Sequence, residues 1–177
     1  MKKKVLIYFH GYGANPNSDK VQKLRNMGYE VVSFSIDVDP RISIPKLTLD
    51  IDHWLIDNFA RENIDLIFIG SSLGGWYAVV MGALYHTDTV TINPSIRPNI
   101  TLKRYGISED VLNSYNDLEF SPDRDPVIIA KDDEVLNFDN EPLLKTAKNV
   151  LYSPTGKHRF NGPEFEEYIK KVLESNP

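Results

Sequence analysis

The chain contains no cysteine. That excludes a thiolate nucleophile, a disulfide framework and a thiolate metal site, and leaves the redox compartment open. No apolar run approaches the roughly 20 residues that a transmembrane helix needs. Like charges are not blocked together either; lysines and acids are interspersed, so a polyionic tail or basic membrane patch is absent. The net charge of −5 opposes a nucleic-acid footprint, which requires a basic face. No pair of its 4 histidines has metal-ligand spacing, so no metal is expected. No repeat, low-complexity tract or linker interrupts the 177 residues. They read as one domain, 1–177, long enough to bury roughly 70% of the unfolded surface. Met1-Lys2-Lys3-Lys4 before Val5–Phe9 imitates a secretory leader. The apolar stretch is short, however, and runs into His10-Gly11-Tyr12-Gly13 without a small-residue cleavage site. It reads as a first strand, and a cytoplasmic location is the expectation.

What the chain does have is alternation. Short apolar runs at Lys4–Phe9, Glu30–Ser35, Asp65–Ile69, Thr89–Asn93, Pro126–Ala130 and Val150–Ser153 read as strands. Helical patterns fall at Ser18–Met27, Ile44–Glu62, Leu73–His86, Glu141–Lys148 and Pro163–Ser175. The second is clearest, with Leu47, Ile51, Trp54, Leu55 and Phe59 on one face. Such βαβ alternation predicts an α/β fold whose mostly parallel sheet is covered on both faces, with ligands at the carboxyl ends of the strands. Residues 97–124 break the rhythm: a short helical pattern lies among Tyr105, Ile107, Val111, Leu112, Tyr115, Leu118 and Phe120. This stretch is either a surface excursion with its own small core or a cap over a site at the strand ends.

Gly70-Ser71-Ser72-Leu73-Gly74 spells G-x-S-x-G between a predicted buried strand and a predicted helix. In that setting the pattern predicts a nucleophile elbow, a turn tight enough to need flanking glycines. It would lift the Ser72 hydroxyl clear of the sheet and set the Leu73 amide at a helix start, facing a developing oxyanion. A serine hydroxyl needs a base within hydrogen-bond reach and a third group to orient that base. His158 is the one histidine in a loop late in the chain, just past a predicted strand, beside the turn Thr155-Gly156-Lys157. His53 reads as solvated, His86 as the end of a helix, and His10 as a residue positioning the loop after the first strand. For the acid, Lys131-Asp132-Asp133-Glu134-Val135 leaves the fifth predicted strand. The Asp-x-Val arrangement points to Asp133, with Asp132 as alternative. The loop His10-Gly11-Tyr12-Gly13 leaves the first strand at the same edge of the sheet, and the Tyr12 amide is the candidate second oxyanion donor. This loop is neither a dinucleotide fingerprint, because Pro16 replaces the third glycine, nor a P-loop, which would need Gly-Lys-Ser/Thr. Arg97, in Asn93-Pro94-Ser95-Ile96-Arg97-Pro98, is a candidate either to bind a substrate carboxylate or phosphate or to brace the suspected cap.

With these residues placed, the chain resembles the α/β hydrolases, specifically the small bacterial YqiA-like esterases. The resemblance runs nearly end to end through His10-Gly11-Tyr12, Gly70–Gly75, Asn93–Pro98, Asp133–Leu136 and His158–Phe160. It implies a compact α/β-hydrolase fold, with a mostly parallel sheet of about six strands and helices on both faces; residues 97–124 are then its short cap. It also implies a serine esterase acting on small to medium acyl esters through Ser72, Asp133 and His158, with no cofactor. The alternatives are a thioesterase or amidase on the same residues, and a binding module that kept the fold without the chemistry.

Overall fold

Strand β1 (Lys3–Phe9) is buried on both faces, which is why its sequence shows no polar alternation. Ile7 and Phe9 enter one apolar cluster and Leu6 and Tyr8 another, as the two-residue period of a strand dictates. A strand covered on both sides belongs inside a parallel sheet flanked by helices. The computed structural model has that architecture; it describes residues 3–59, 64–121, 124–139, 141–147 and 149–174.

The remaining strands are β2 (Glu30–Ser33), β3 (Ile64–Ser71), β4 (Asp88–Ile92), β5 (Val127–Ala130) and β6 (Val150–Ser153). They form one 6-stranded sheet in the order β2-β1-β3-β4-β5-β6, and every adjacent pair is parallel. From β1 the chain goes to one edge to add β2, then returns past β1 and builds toward the other edge. The direction reverses between β1 and β3, so their following loops diverge and leave a crevice at the carboxyl ends. Phe9 of β1 is in register with Gly70 of β3, which sets the loop after β1 beside Ser72.

Helices α2 (Pro40–Phe59) and α3 (Leu73–Tyr85) cover one face through Leu47, Ile51, Trp76, Tyr77 and Met81. Helices α1 (Asp19–Asn26) and α6 (Pro163–Glu174) cover the other through Val21, Leu24, Phe165, Ile169 and Leu173. Each large apolar side chain buried this way contributes about 1.5–3 kcal/mol. Among the described residues no helix is long and apolar enough to cross a membrane.

Several element boundaries differ from the sequence-based expectations, three of them for a visible physical reason. The helix expected from Ile44 begins at Pro40, because the Asp39 carboxylate accepts the Arg41 amide at 2.9 Å while Pro40 occupies the first turn. Its expected end, residues 60–62, lies outside the described residues, as do Lys148 and Ser175. Glu141–Lys148 is represented by a 3-10 turn, Pro142–Thr146, capped where Glu141 accepts the Leu143 amide at 3.1 Å; Pro142 fits its first turn and little of it is buried. The second strand stops at Ser33 rather than Ser35, because the chain turns off the sheet edge to let Ile36 N–H reach His10 Nε2 at 3.2 Å.

The segment after β4 folds as α4 (Pro98–Thr101), a 3-10 turn (Lys103–Tyr105) and α5 (Glu109–Leu112). It has no separate core. Leu102, Leu112, Tyr115, Leu118 and Phe120 join the same cluster as Trp76 and Tyr77 of α3. The Trp76 indole donates to the Asn116 carbonyl at 2.8 Å and packs edge-on against Tyr115 at 4.9 Å.

Candidate active site

Between β3 and α3 the backbone turns on Ser72, at φ 56° and ψ −123°. A side-chain-bearing residue in this region is strained by about 1–3 kcal/mol and persists only when its surroundings over-determine it. They do so here. Ser72 N–H donates to Ile92 O at 3.0 Å, and Ser72 O accepts from the amides of Gly75 and Ser95, each at 2.9 Å. The glycines on either side are obligatory. A Cβ on Gly70 would lie 2.0 Å from Gly74 O, and one on Gly74 would lie 2.0 Å from Phe9 O. The result is an elbow with the Ser72 hydroxyl projecting into a cavity of about 420 Å³.

His158 reaches that hydroxyl from the loop after β6. Ser72 Oγ lies 3.0 Å from His158 Nε2, and His158 Nδ1 lies 2.9 Å from Asp133 Oδ2. With the ring proton on Nδ1 donated to the carboxylate, Nε2 is left to accept the serine proton. Asp133 is buried, its side chain 1% exposed, and its other oxygen accepts the amides of Val135 at 2.7 Å and Leu136 at 2.8 Å. These bonds fix the carboxylate so that Oδ2 faces the imidazole. Asp132, the alternative acid, points elsewhere and accepts the Lys157 amide at 2.8 Å.

The loop after β1 closes on the same serine. A Cβ on Gly11 would meet Ser72 Cβ at 3.3 Å, so the backbone passes in contact with the elbow. The amides of Tyr12 and Leu73 donate to no acceptor among the described residues. Both residues line the cavity. His10 holds this loop in place. Its Nε2 accepts the Ile36 amide at 3.2 Å, which puts the ring proton on Nδ1, where it is donated to Gly11 O at 2.9 Å. Burial holds the His10 imidazole below its ordinary pKa of 6.5 and so favours the neutral ring that these bonds need.

Arg97 does not line the Ser72 cavity. Its guanidinium donates to Asp117 at 3.1 Å and Glu141 at 2.6 Å, which ties residues 97–117 to the turn after β5. His53 and His86 are exposed and remote. Among the described residues no group of three His, Asp or Glu side chains is placed to hold a metal ion.

Sequence reasoning passed over two residues that build the site. Asn93, read there as part of a rigid turn, is fully buried at φ 42°. Its side chain donates to the carbonyls of Lys157 at 2.9 Å and His158 at 3.2 Å, and accepts the Ala130 amide at 2.8 Å. It therefore joins the end of β4 to the strand bearing the acid and the loop bearing the imidazole. Glu134 accepts the His158 amide at 3.0 Å, and that bond holds its carboxyl below the ordinary range. Consecutive acids Asp132, Asp133 and Glu134 thus grip one loop at three points. A run of three carboxylates at a strand end was the available signal for Glu134.

The family model described as the uncharacterised protein family UPF0227 matches residues 5–175. Among solved structures, Est1E from Butyrivibrio proteoclasticus superposes with a TM-score of 0.71 at 13% identity, covering 98% of this chain and 88% of that one. An esterase from Pyrococcus furiosus gives 0.62 at 17% identity, with 98% and 80% covered. Mouse alpha/beta hydrolase domain-containing protein 10 gives 0.61 at 14% identity, with 97% and 88% covered. At such identities the likeness is one of fold.

Proposed function

The chain belongs to the uncharacterised protein family UPF0227, and on that premise we propose that it is a serine hydrolase cleaving small to medium acyl esters. The observation that carries this reading is the unbroken line of contacts from Ser72 Oγ through His158 to the buried Asp133. Ser72 Oγ attacks the ester carbonyl carbon as His158 Nε2 takes its proton. Asp133 stabilises the imidazolium without itself being protonated. The carbonyl oxygen, now an oxyanion, is met by the Tyr12 and Leu73 amides; preorganised donors of this kind contribute about 3–4 kcal/mol each in the transition state. Collapse breaks the bond to the alcohol, which leaves with the proton from His158, and an acyl group remains on Ser72. Water then attacks the acyl carbon while His158 takes its proton, and Ser72 recovers a proton as the acid departs. Leu102, Val135 and Leu136 give one wall of the cavity an apolar character suited to the acyl chain, and the segment 97–121 serves as a fixed cap.

The test is labelling with a fluorophosphonate, mapped by mass spectrometry. An adduct on Ser72, lost in Ser72→Ala and strongly reduced in His158→Ala, is the expected result. Folded wild-type protein that takes no label overturns the reading. Matched oxyester, thioester and amide substrates then rank the acyl classes, with the oxyester expected first.

A further inference from the structure

The Ser72 cavity has a charge balance opposite to that of the chain. Its lining includes Lys20, Arg104 and Arg159 but one acid, Asp19, in a protein of net charge −5. Among the described residues none of the three cations is in an ion pair. Lys20 donates its ammonium to the Arg159 carbonyl, and Arg104 donates to the carbonyls of Val135 at 2.6 Å and Thr101 at 3.2 Å. Arg41 and Arg97, by contrast, each contact two carboxylates. Asp19 Oδ2 accepts from the side-chain Nδ2 of Asn161 at 3.2 Å.

Lys20 and Arg159 also have a defined place relative to the chemistry. Arg159 follows His158 directly, and Lys20 from the first turn of α1 is fastened to its backbone. Lys23, one turn on, donates to Asn161 O at 2.6 Å, so α1 holds the whole His158 loop. Because His158 hands its proton to the departing alcohol, that half of the substrate lies against this loop. Burial of the Lys20 ammonium and repulsion from the neighbouring Arg159 both disfavour its charge, and Asp19 offsets only part of that cost. Together these effects bring the Lys20 ammonium down to about 8. A bound anion relieves both.

We propose that Lys20 and Arg159 bind an anionic group, a carboxylate or a phosphate, on the alcohol half of the substrate, making anionic esters the preferred substrates. This rests on the serine-hydrolase reading above. The acyl half then lies toward Leu102 and Leu136.

The experiment compares 4-carboxyphenyl and 4-phosphonophenyl butyrate with neutral 4-carbamoylphenyl butyrate at low ionic strength. At least one anionic ester is expected to exceed the neutral one in kcat/KM by about ten-fold, mostly through KM. The better of the two identifies the anion. Added salt and the variants Lys20→Met and Arg159→Met bring the ratio toward unity, while Lys20→Arg retains it. Equal rates for charged and neutral esters in an active enzyme overturn the proposal and leave the hydrolase reading intact. A larger gain with phenyl hydrogen succinate, whose charge is on the acyl half, overturns the placement. Calorimetric binding of the same esters to Ser72→Ala reads the charge preference without turnover. Equal affinities there overturn the proposal whatever the activity, and failure of wild type to cleave any ester overturns the hydrolase reading itself.

Discussion

Asp132 and Asp133 are neighbours with the same side chain, yet substituting them is expected to have very different effects. Asp133→Asn keeps the shape but replaces a carboxylate that fixes the His158 tautomer, so kcat is expected to fall about 10,000-fold. Asp132→Asn retains an acceptor for the Lys157 amide, and kcat should stay within about five-fold of wild type, since one surface hydrogen bond contributes about 1 kcal/mol. Steady-state kinetics on the two variants checks the assignment. The Asp-x-Val pattern pointed to Asp133, the one of the two that lies against His158, and its signal was local because the acid itself binds the Val135 and Leu136 amides. Asn93 was not legible, since its partners are 37, 64 and 65 positions away along the chain. Asn93→Ala leaves the Ala130 amide buried and unpaired, a cost of about 1–3 kcal/mol. It is expected to lower the melting temperature and to reduce kcat more than it raises KM, because the His158 loop loses its tether.

Among the elements, the loop after β1 carries a pH response. His10 is buried as a neutral ring, so its folded pKa lies below the unfolded 6.5. Between those values the unfolded chain binds more protons than the folded one, and stability rises with pH. Stability is therefore lost as pH falls from about 6.5 through the folded pKa. Protonation also puts a hydrogen on Nε2 facing the Ile36 amide, which releases the loop carrying the Tyr12 amide. Denaturant melts of wild type and His10→Gln across pH 5–7, a range of about two units around the histidine value, should show that slope in the wild type alone. Element boundaries were read well where local chemistry sets them, as at the strand-elbow-helix junction. The start of α2 was misread at Ile44, because the apolar spacing does not show the cap that Asp39 forms with the Arg41 amide. The compact turn at Pro142–Thr146 was overread as a helix because apolar spacing does not show whether one turn or two is buried.

Taken as a whole molecule, the sheet places its chemistry where the strand order reverses. Alternating apolar runs were sufficient to predict a parallel sheet covered on both faces. The order β2-β1-β3-β4-β5-β6 was not readable, because the interior strands are all largely buried on both faces and any could neighbour any other. The elbow is also the point where the fold gives up stability for geometry. Ser72→Gly removes the proposed nucleophile, and glycine is at ease at φ 56°. Strain relief of about 1–3 kcal/mol exceeds the roughly 1 kcal/mol of added chain entropy in the unfolded state. The variant should be inactive and melt about 2–4 °C higher, measured by calorimetry.

Residues 101–105 form a wall of the cavity, and the remainder of that segment is rooted in α3 through Trp76, 3% exposed beneath Tyr115 and Asn116. Ser72 sits one turn before that tryptophan, so the wall and the serine are carried by the same helix. Heat cannot loosen the wall ahead of the body. Residual activity and tryptophan emission, followed together on warming, should be lost along one curve; an enzyme with a separately melting lid would go silent several degrees before its fluorescence changed.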